Sequence, residues 1–131
     1  MKFKEYLNED IWRYFKKDST GMPMYDEMID NPDYYRERKH KDGKIIMMSP
    51  DEYLKQSGII HGGHSMQSQY DQADPERVKD IINKIKSTGS KMPIPVLDYE
   101  SKNQEGRHRA VISKKLGLKE IPVLVVHRIW I

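Results

Sequence analysis

Apolar residues at helical spacing alternate with short apolar runs along this chain, and the alternation predicts a mixed α/β (α+β) domain. The clearest helix opens at Asp74-Pro75-Glu76, where an N-cap carboxylate, a first-turn proline and a first-turn acid follow one another. Val78, Ile81, Ile82 and Ile85 then fall at i, i+3, i+4 and i+7, and Gly89 ends the element. Ser49-Pro50-Asp51-Glu52 opens a second helix in the same manner. A third runs from Gly106 to Leu116 and is closed by Gly117. Residues 4–17, with apolar positions at 3, 7, 11, 14 and 15, carry an amphipathic helical spacing of their own.

Three apolar runs predict strands: Ile45–Met48, Pro95–Tyr99 and Pro122–Val126. The last is continuous enough to be buried on both faces. The expected core is Val78, Ile81, Ile82, Ile85, Val96, Ile112, Leu116, Val123 and Val125. The polar stretch Gly58–Gln72, with Gly62-Gly63 inside it, shows no period and is expected to be a long loop lining the functional cleft. Residues 22–42 also lack a period and end at the Asp42-Gly43 turn. The chain therefore divides into an N-terminal helix and irregular connection over 1–43 and a domain over 44–131. Residues 1 to about 40 are expected to be dispensable for the site.

Charge sharpens the picture. Residues 1–43 carry a net of −1 and residues 44–131 a net of +4. Six basic residues and a single acid, Glu105, lie between Lys102 and Lys119. Lys114, Lys115 and Lys119 suit the C-terminal end of a helix, but Arg107 and Arg109 sit at its N-terminal end, where the helix dipole opposes them unless an anion or Glu105 compensates. Cysteine is absent, which removes disulfides and thiolate chemistry. No apolar run approaches the ~20 residues of a membrane helix, and Met1-Lys2-Phe3-Lys4-Glu5 lacks the apolar core of a secretory signal, so a cytoplasmic protein of a bacterial or phage-infected cell is expected.

The chemistry concentrates in Gln104-Glu105-Gly106-Arg107-His108-Arg109-Ala110. A glycine at the mouth of a helix lets the backbone approach a ligand, the first-turn N–H groups face an anion, and arginine can fork two phosphate oxygens. Gly106, Arg107, His108 and Arg109 are thus the candidate phosphate- or nucleotide-binding residues, with His108 as a pH-dependent donor. Glu105 and His108 are the candidate catalytic groups, Glu105 as general base or magnesium ligand; an ion pair between Glu105 and Arg107 or Arg109 is the simpler use of that acid. His61-Gly62-Gly63-His64 with Asp71 offers metal-ligand types but fixes no third ligand, so no metal site is expected; His64 or Gln67 is expected to reach the ligand instead.

Gly106-Arg107-His108-Arg109, followed by Leu116-Gly117 and by Ile121-Pro122 leading into an apolar run, resembles the Gly-x-x-Arg signature of the ParB N-terminal/sulfiredoxin-like superfamily over roughly Lys44 to Val126. The resemblance implies a compact domain with a small mixed sheet and flanking helices in which this turn faces a cleft. In the sulfiredoxin branch a cysteine stands where this chain has Arg107, so sulfinic acid reduction is excluded. In the ParB branch the turn reads Gly-Glu-Arg-Arg and binds nucleotide phosphates; Gly106 and Arg109 match it and Arg107 and His108 depart from it. The ParB branch's acid–asparagine motif and helix-turn-helix are not found in these 131 residues.

The implied ligand is a nucleotide with Mg2+ or another phosphate, with hydrolysis or phosphoryl transfer open. The alternatives are a ParB-like DNA-binding or nuclease module and a non-enzymatic phage protein with a host or phage-head partner. Met1–Glu9, ending in Leu7-Asn8-Glu9, resembles the capsid-targeting leaders of phage internal head proteins, which implies packaging in a phage head.

Overall fold

A computed structural model describes residues 9–19, 21–25, 43–60, 62–63, 65–99 and 102–126. In chain order these form α1 (Glu9–Trp12), β1 (Gly43–Met48), α2 (Pro50–Ile60), α3 (Met66–Asp71), α4 (Pro75–Thr88), β2 (Val96–Asp98), β3 (Asn103–Glu105), α5 (Arg107–Lys115) and β4 (Ile121–Val126). The strands make one mixed sheet in the order β1-β4-β2-β3. β4 pairs antiparallel with β1 and parallel with β2, and β2 turns antiparallel into β3. This is an α+β fold with helices flanking a four-stranded sheet.

β4 is buried at all six positions, as its unbroken apolar run requires of a central strand. Its proline, Pro122, opposes Met47 of β1 and lies ahead of Leu124, where pairing with β2 begins. A proline here therefore spares the stretch that has neighbours on both sides. The α4 caps form as the sequence predicts: the Asp74 carboxylate accepts from the N–H groups of Glu76 (3.0 Å) and Arg77 (3.5 Å), and Gly89 closes the helix at φ 71°.

Most of the expected core is buried: Val78, Ile85, Val96, Ile112, Val123 and Val125. Ile81, Ile82 and Leu116 are only half-buried against it. Ile81 lies on the wall of a cleft, so α4 divides its apolar stripe between core and cleft.

Three features depart from the sequence reading. Gly58–Gln72 is not one loop, because α3 forms inside it. Ser65 caps α3, its hydroxyl accepting from Ser68 N–H at 3.0 Å, and the buried Ser57 hydroxyl donates to the Gln69 side-chain oxygen at 2.9 Å, tying α3 to α2. The segment before Gly106 is a strand, β3, whose Gln104 side chain accepts a 2.8 Å bond from the Tyr53 hydroxyl of α2. Finally, the division at residue 43 is not a division of the core. Helix α1 is described over Glu9–Trp12, and residues 4–8 of the amphipathic stretch lie outside the described residues. After Trp12 the chain extends so that Phe15 pairs with Met92 and Lys17 with Pro23. Trp12, Phe15 and Tyr25 are buried in the same cluster as β2, β4 and α5. Aromatic side chains of this size carry a large share of a small core, so residues 11–25 are not a detachable leader. Residues 1–8, 26–42 and 127–131, which include the leader-like sequence, lie outside the described residues. No helix among the described residues is long and apolar enough to cross a membrane.

Candidate functional site

A cleft of about 700 Å³ opens where α4, the segment after it and the β3–α5 turn meet. One side is the sequence motif: Gln104, Glu105, Gly106, Arg107, His108 and Arg109 all line it. The structure thus brings the four residues of the Gly-x-x-Arg turn together on one wall. The opposite side was not legible in the motif. Arg77, Ile81 and Lys84 of α4 line it, as do Lys91 and Met92 after the helix and Lys16 from the N-terminal segment. Lys16 is held there by backbone, its N–H donating to the Met92 carbonyl at 2.7 Å. Residues 1 to about 40 were expected to be dispensable; Lys16 on the cleft wall and Phe15 paired to Met92 make the N-terminal segment part of the site.

Gly106 is glycine for a reason different from the one its sequence context suggests. It stands at φ 131°, and a Cβ there would come within 2.7 Å of Pro95 Cβ and 2.9 Å of Pro95 Cα. The β2–β3 hairpin brings that proline against the start of α5, and only a residue without a side chain fits between them. Among the described residues no side-chain hydrogen bond caps α5 at Gly106.

Arg109 is 9% exposed. Its Nη1 donates to the carbonyls of Pro93 (3.3 Å) and Ile94 (3.0 Å), and its Nη2 to Glu105 Oε1 (3.0 Å). The guanidinium is a clasp joining α5 to the segment leading into β2 and to β3, so the expectation that it forks a phosphate gives way to a structural role. Glu105 is likewise engaged: the half-exposed carboxylate forms the i,i+4 pair with Arg109, and its use as general base or magnesium ligand would have to break that pair. Arg107 is the half-buried arginine of the turn, and its Nε is buried with no hydrogen-bond partner among the described residues.

His108 accepts at Nε2 from the Asp74 backbone N–H at 3.1 Å. An accepting nitrogen requires the neutral ring. Burial holds its pKa below the ordinary 6.5, and the Arg77 and Arg107 guanidiniums push it in the same direction. His108 is thus a neutral bridge between the starts of α5 and α4, where the sequence suggested a donor whose charge depends on pH. Because the folded pKa lies below the unfolded one, the unfolded chain binds the proton first, and stability falls as pH drops from 6.5 toward the folded value. In thermal unfolding between pH 8 and pH 5 the wild type is expected to lose midpoint relative to His108→Asn over that window; parallel curves would contradict the assignment.

Other sequence candidates lie elsewhere. His61 and His64 lie outside the described residues. Gln67 is on α3 with its amide bonded to Asp71 at 2.9 Å, away from the cleft lining. Lys114 pairs with Asp51 at 2.8 Å, and Lys114 and Lys115 both lie over the Tyr70 ring, so neither contributes to the cleft.

The fold and the cleft define an α+β domain with a cationic, partly apolar cleft at a helix start. In comparisons with known proteins, no family model, no curated protein and no solved structure matches this chain.

Proposed function

We propose that the cleft at the start of α5 binds a nucleotide or another phosphate-bearing ligand, and that the chain is a domain of ParB/sulfiredoxin type acting in the cytoplasm of a bacterial or phage-infected cell. The observation that carries this reading is the charge on the cleft walls. Lys16, Arg77, Lys84, Lys91, Arg107 and Arg109 meet there, and Glu105, the acid among the described lining residues, is already paired with Arg109. Such a concentration of like charge is costly unless a polyanion occupies it. The uncapped first turn of α5 adds N–H donors and the positive end of the helix dipole. The cleft also has a size ordinary for small-molecule sites. With Glu105 and His108 both engaged in internal bonds, the reading is of binding first; hydrolysis or phosphoryl transfer with Mg2+ would require one of them to be released.

The test is calorimetric titration of the full chain with nucleoside di- and triphosphates and with inorganic pyrophosphate, with and without magnesium. Arg107→Ala is expected to weaken binding by ~10-fold or more, as loss of a charge-assisted phosphate contact does. Lys114→Ala with Lys115→Ala should leave binding unchanged. Affinity should fall with salt less steeply than it does for a DNA duplex, because the contacts are confined to the cations of the cleft. A steep fall together with dependence on the lysine pair would favour the DNA-binding module, and no binding of any phosphate compound would refute the reading.

A further inference from the structure

The cleft, at about 700 Å³, is larger than one phosphate needs, and its cations come from separate segments of the chain. Arg77, Ile81, Lys84 and Ile85 of α4 share the face turned to it, the i, i+4, i+7, i+8 stripe of a helix. Arg77 and Arg107 both lie within electrostatic reach of His108. Lys84 is two turns further along, about 10 Å down the axis at ~1.5 Å per residue. Lys84 alone could be explained as a basic residue complementing the C-terminal end of α4. Lys16 and Lys91 cannot, because they come from other segments. Backbone bonds of 2.7 Å, Lys16 N–H to the Met92 carbonyl and Met92 N–H to the Tyr14 carbonyl, hold the two segments together, and Lys16 and Lys91 both line the cleft. Among the described residues none of these three lysines forms an ion pair, and Glu105, the acid in the cleft lining, is paired with Arg109. Ile81, between Arg77 and Lys84 on α4, and Met92 add apolar surface to the lining.

Resting on the reading of the cleft as a phosphate site, we propose that its ligand is a nucleoside phosphorylated at both ends. One phosphate would lie at Arg77 and Arg107, the second at Lys16, Lys84 and Lys91, and the nucleoside would rest over Ile81 and Met92. Charge separated by two turns of α4 calls for two anionic groups, since a compact polyphosphate would engage one set of cations and leave the other unneutralised. The long lysine side chains adjust their reach to the second phosphate. The apolar stretch calls for a flat or apolar body between the two groups, which a sugar and base supply.

The experiment compares the 5′-monophosphates and 3′,5′-bisphosphates of adenosine, guanosine, cytidine and uridine by calorimetry on the full chain. At least one bisphosphate is expected to bind ~10-fold or more tightly than its monophosphate. In Lys16→Gln/Lys84→Gln/Lys91→Gln that advantage should vanish, the bisphosphate then binding no more tightly than the monophosphate does to the same variant. Lys84→Gln/Lys91→Gln, which alters only exposed side chains, should lose most of it. Monophosphate binding that depends on Arg107 but shows no bisphosphate advantage would overturn the two-ended ligand and leave the phosphate reading standing. An advantage that survives in both lysine variants would overturn it too. Binding of none of these compounds, nor of pyrophosphate, would overturn both.

Discussion

Gly106→Ala is expected to destabilise the fold by about 3 kcal/mol in the absence of any ligand, a sum of backbone strain at positive φ and overpacking. The new methyl would meet Pro95 Cβ at 2.7 Å and Cα at 2.9 Å, and both belong to a proline whose ring and backbone cannot swing aside. For a chain of this size that corresponds to a fall of roughly 10 °C in unfolding midpoint. The measurement separates two reasons for a glycine at this turn. A residue needed only for close approach to a phosphate would tolerate the methyl until ligand is added, so a Gly106→Ala variant as stable as the wild type would return Gly106 to a purely ligand-facing role.

Arg109→Ala should cost about 2–4 kcal/mol, from hydrogen bonds of a charged donor to two carbonyls and from stem packing. It leaves the Pro93 and Ile94 carbonyls without that donor and strips Glu105 of its partner. Glu105 is half-exposed and recovers water, so the pair itself adds little. Arg109→Lys, which keeps the charge but cannot reach all three acceptors, should fall between the two. Denaturant unfolding of the three proteins measures this. Full stability in the alanine variant would show that the clasp is not what holds α5 to the sheet. Any loss of ligand binding in Arg109→Ala is then read against Arg107→Ala, which should bind poorly while folding normally.

How far the sequence could be read depended on whether the determinants were local. The caps of α4 were legible because Asp74, Pro75 and Gly89 act within a turn of their own position. β4 was legible because six consecutive buried positions leave an unbroken apolar run. Helix α3 was not, since Ser65 is a cap without an apolar stripe behind it and Gln69 is buried through a bond to Ser57, a partner twelve residues away. β3 escaped because Asn103-Gln104-Glu105 has no apolar alternation; its pairing with Val96–Asp98 and the Tyr53 bond make it a strand.

The site divides the same way. The Gly106–Arg109 wall could be located from one contiguous motif. The facing wall, from Arg77 to Lys91 with Lys16, is assembled by the fold from residues that individually read as solvated helix charges. The roles within the motif also shifted, because whether an arginine binds a ligand or clasps a backbone depends on carbonyls at residues 93 and 94 that no local pattern reveals.

The sheet order has a kinetic consequence. β4 sits between β1 and β2, yet it is the last of the described strands in the chain; Gly43 opposes Val126 and Met48 opposes Ile121, partners more than seventy residues apart. Until β4 arrives, β1 has no neighbour from the sheet and the β2–β3 hairpin stands alone. Closing so large a loop is slow compared with forming α4 or the hairpin, so the barrier to folding should be dominated by docking of Ile121–Val126. Substitutions at Val123 or Leu124 would then slow refolding more than they speed unfolding. On a ribosome, an emerging chain would carry an open central slot in its sheet until those residues leave the exit tunnel, the interval in which it is most exposed to mispairing.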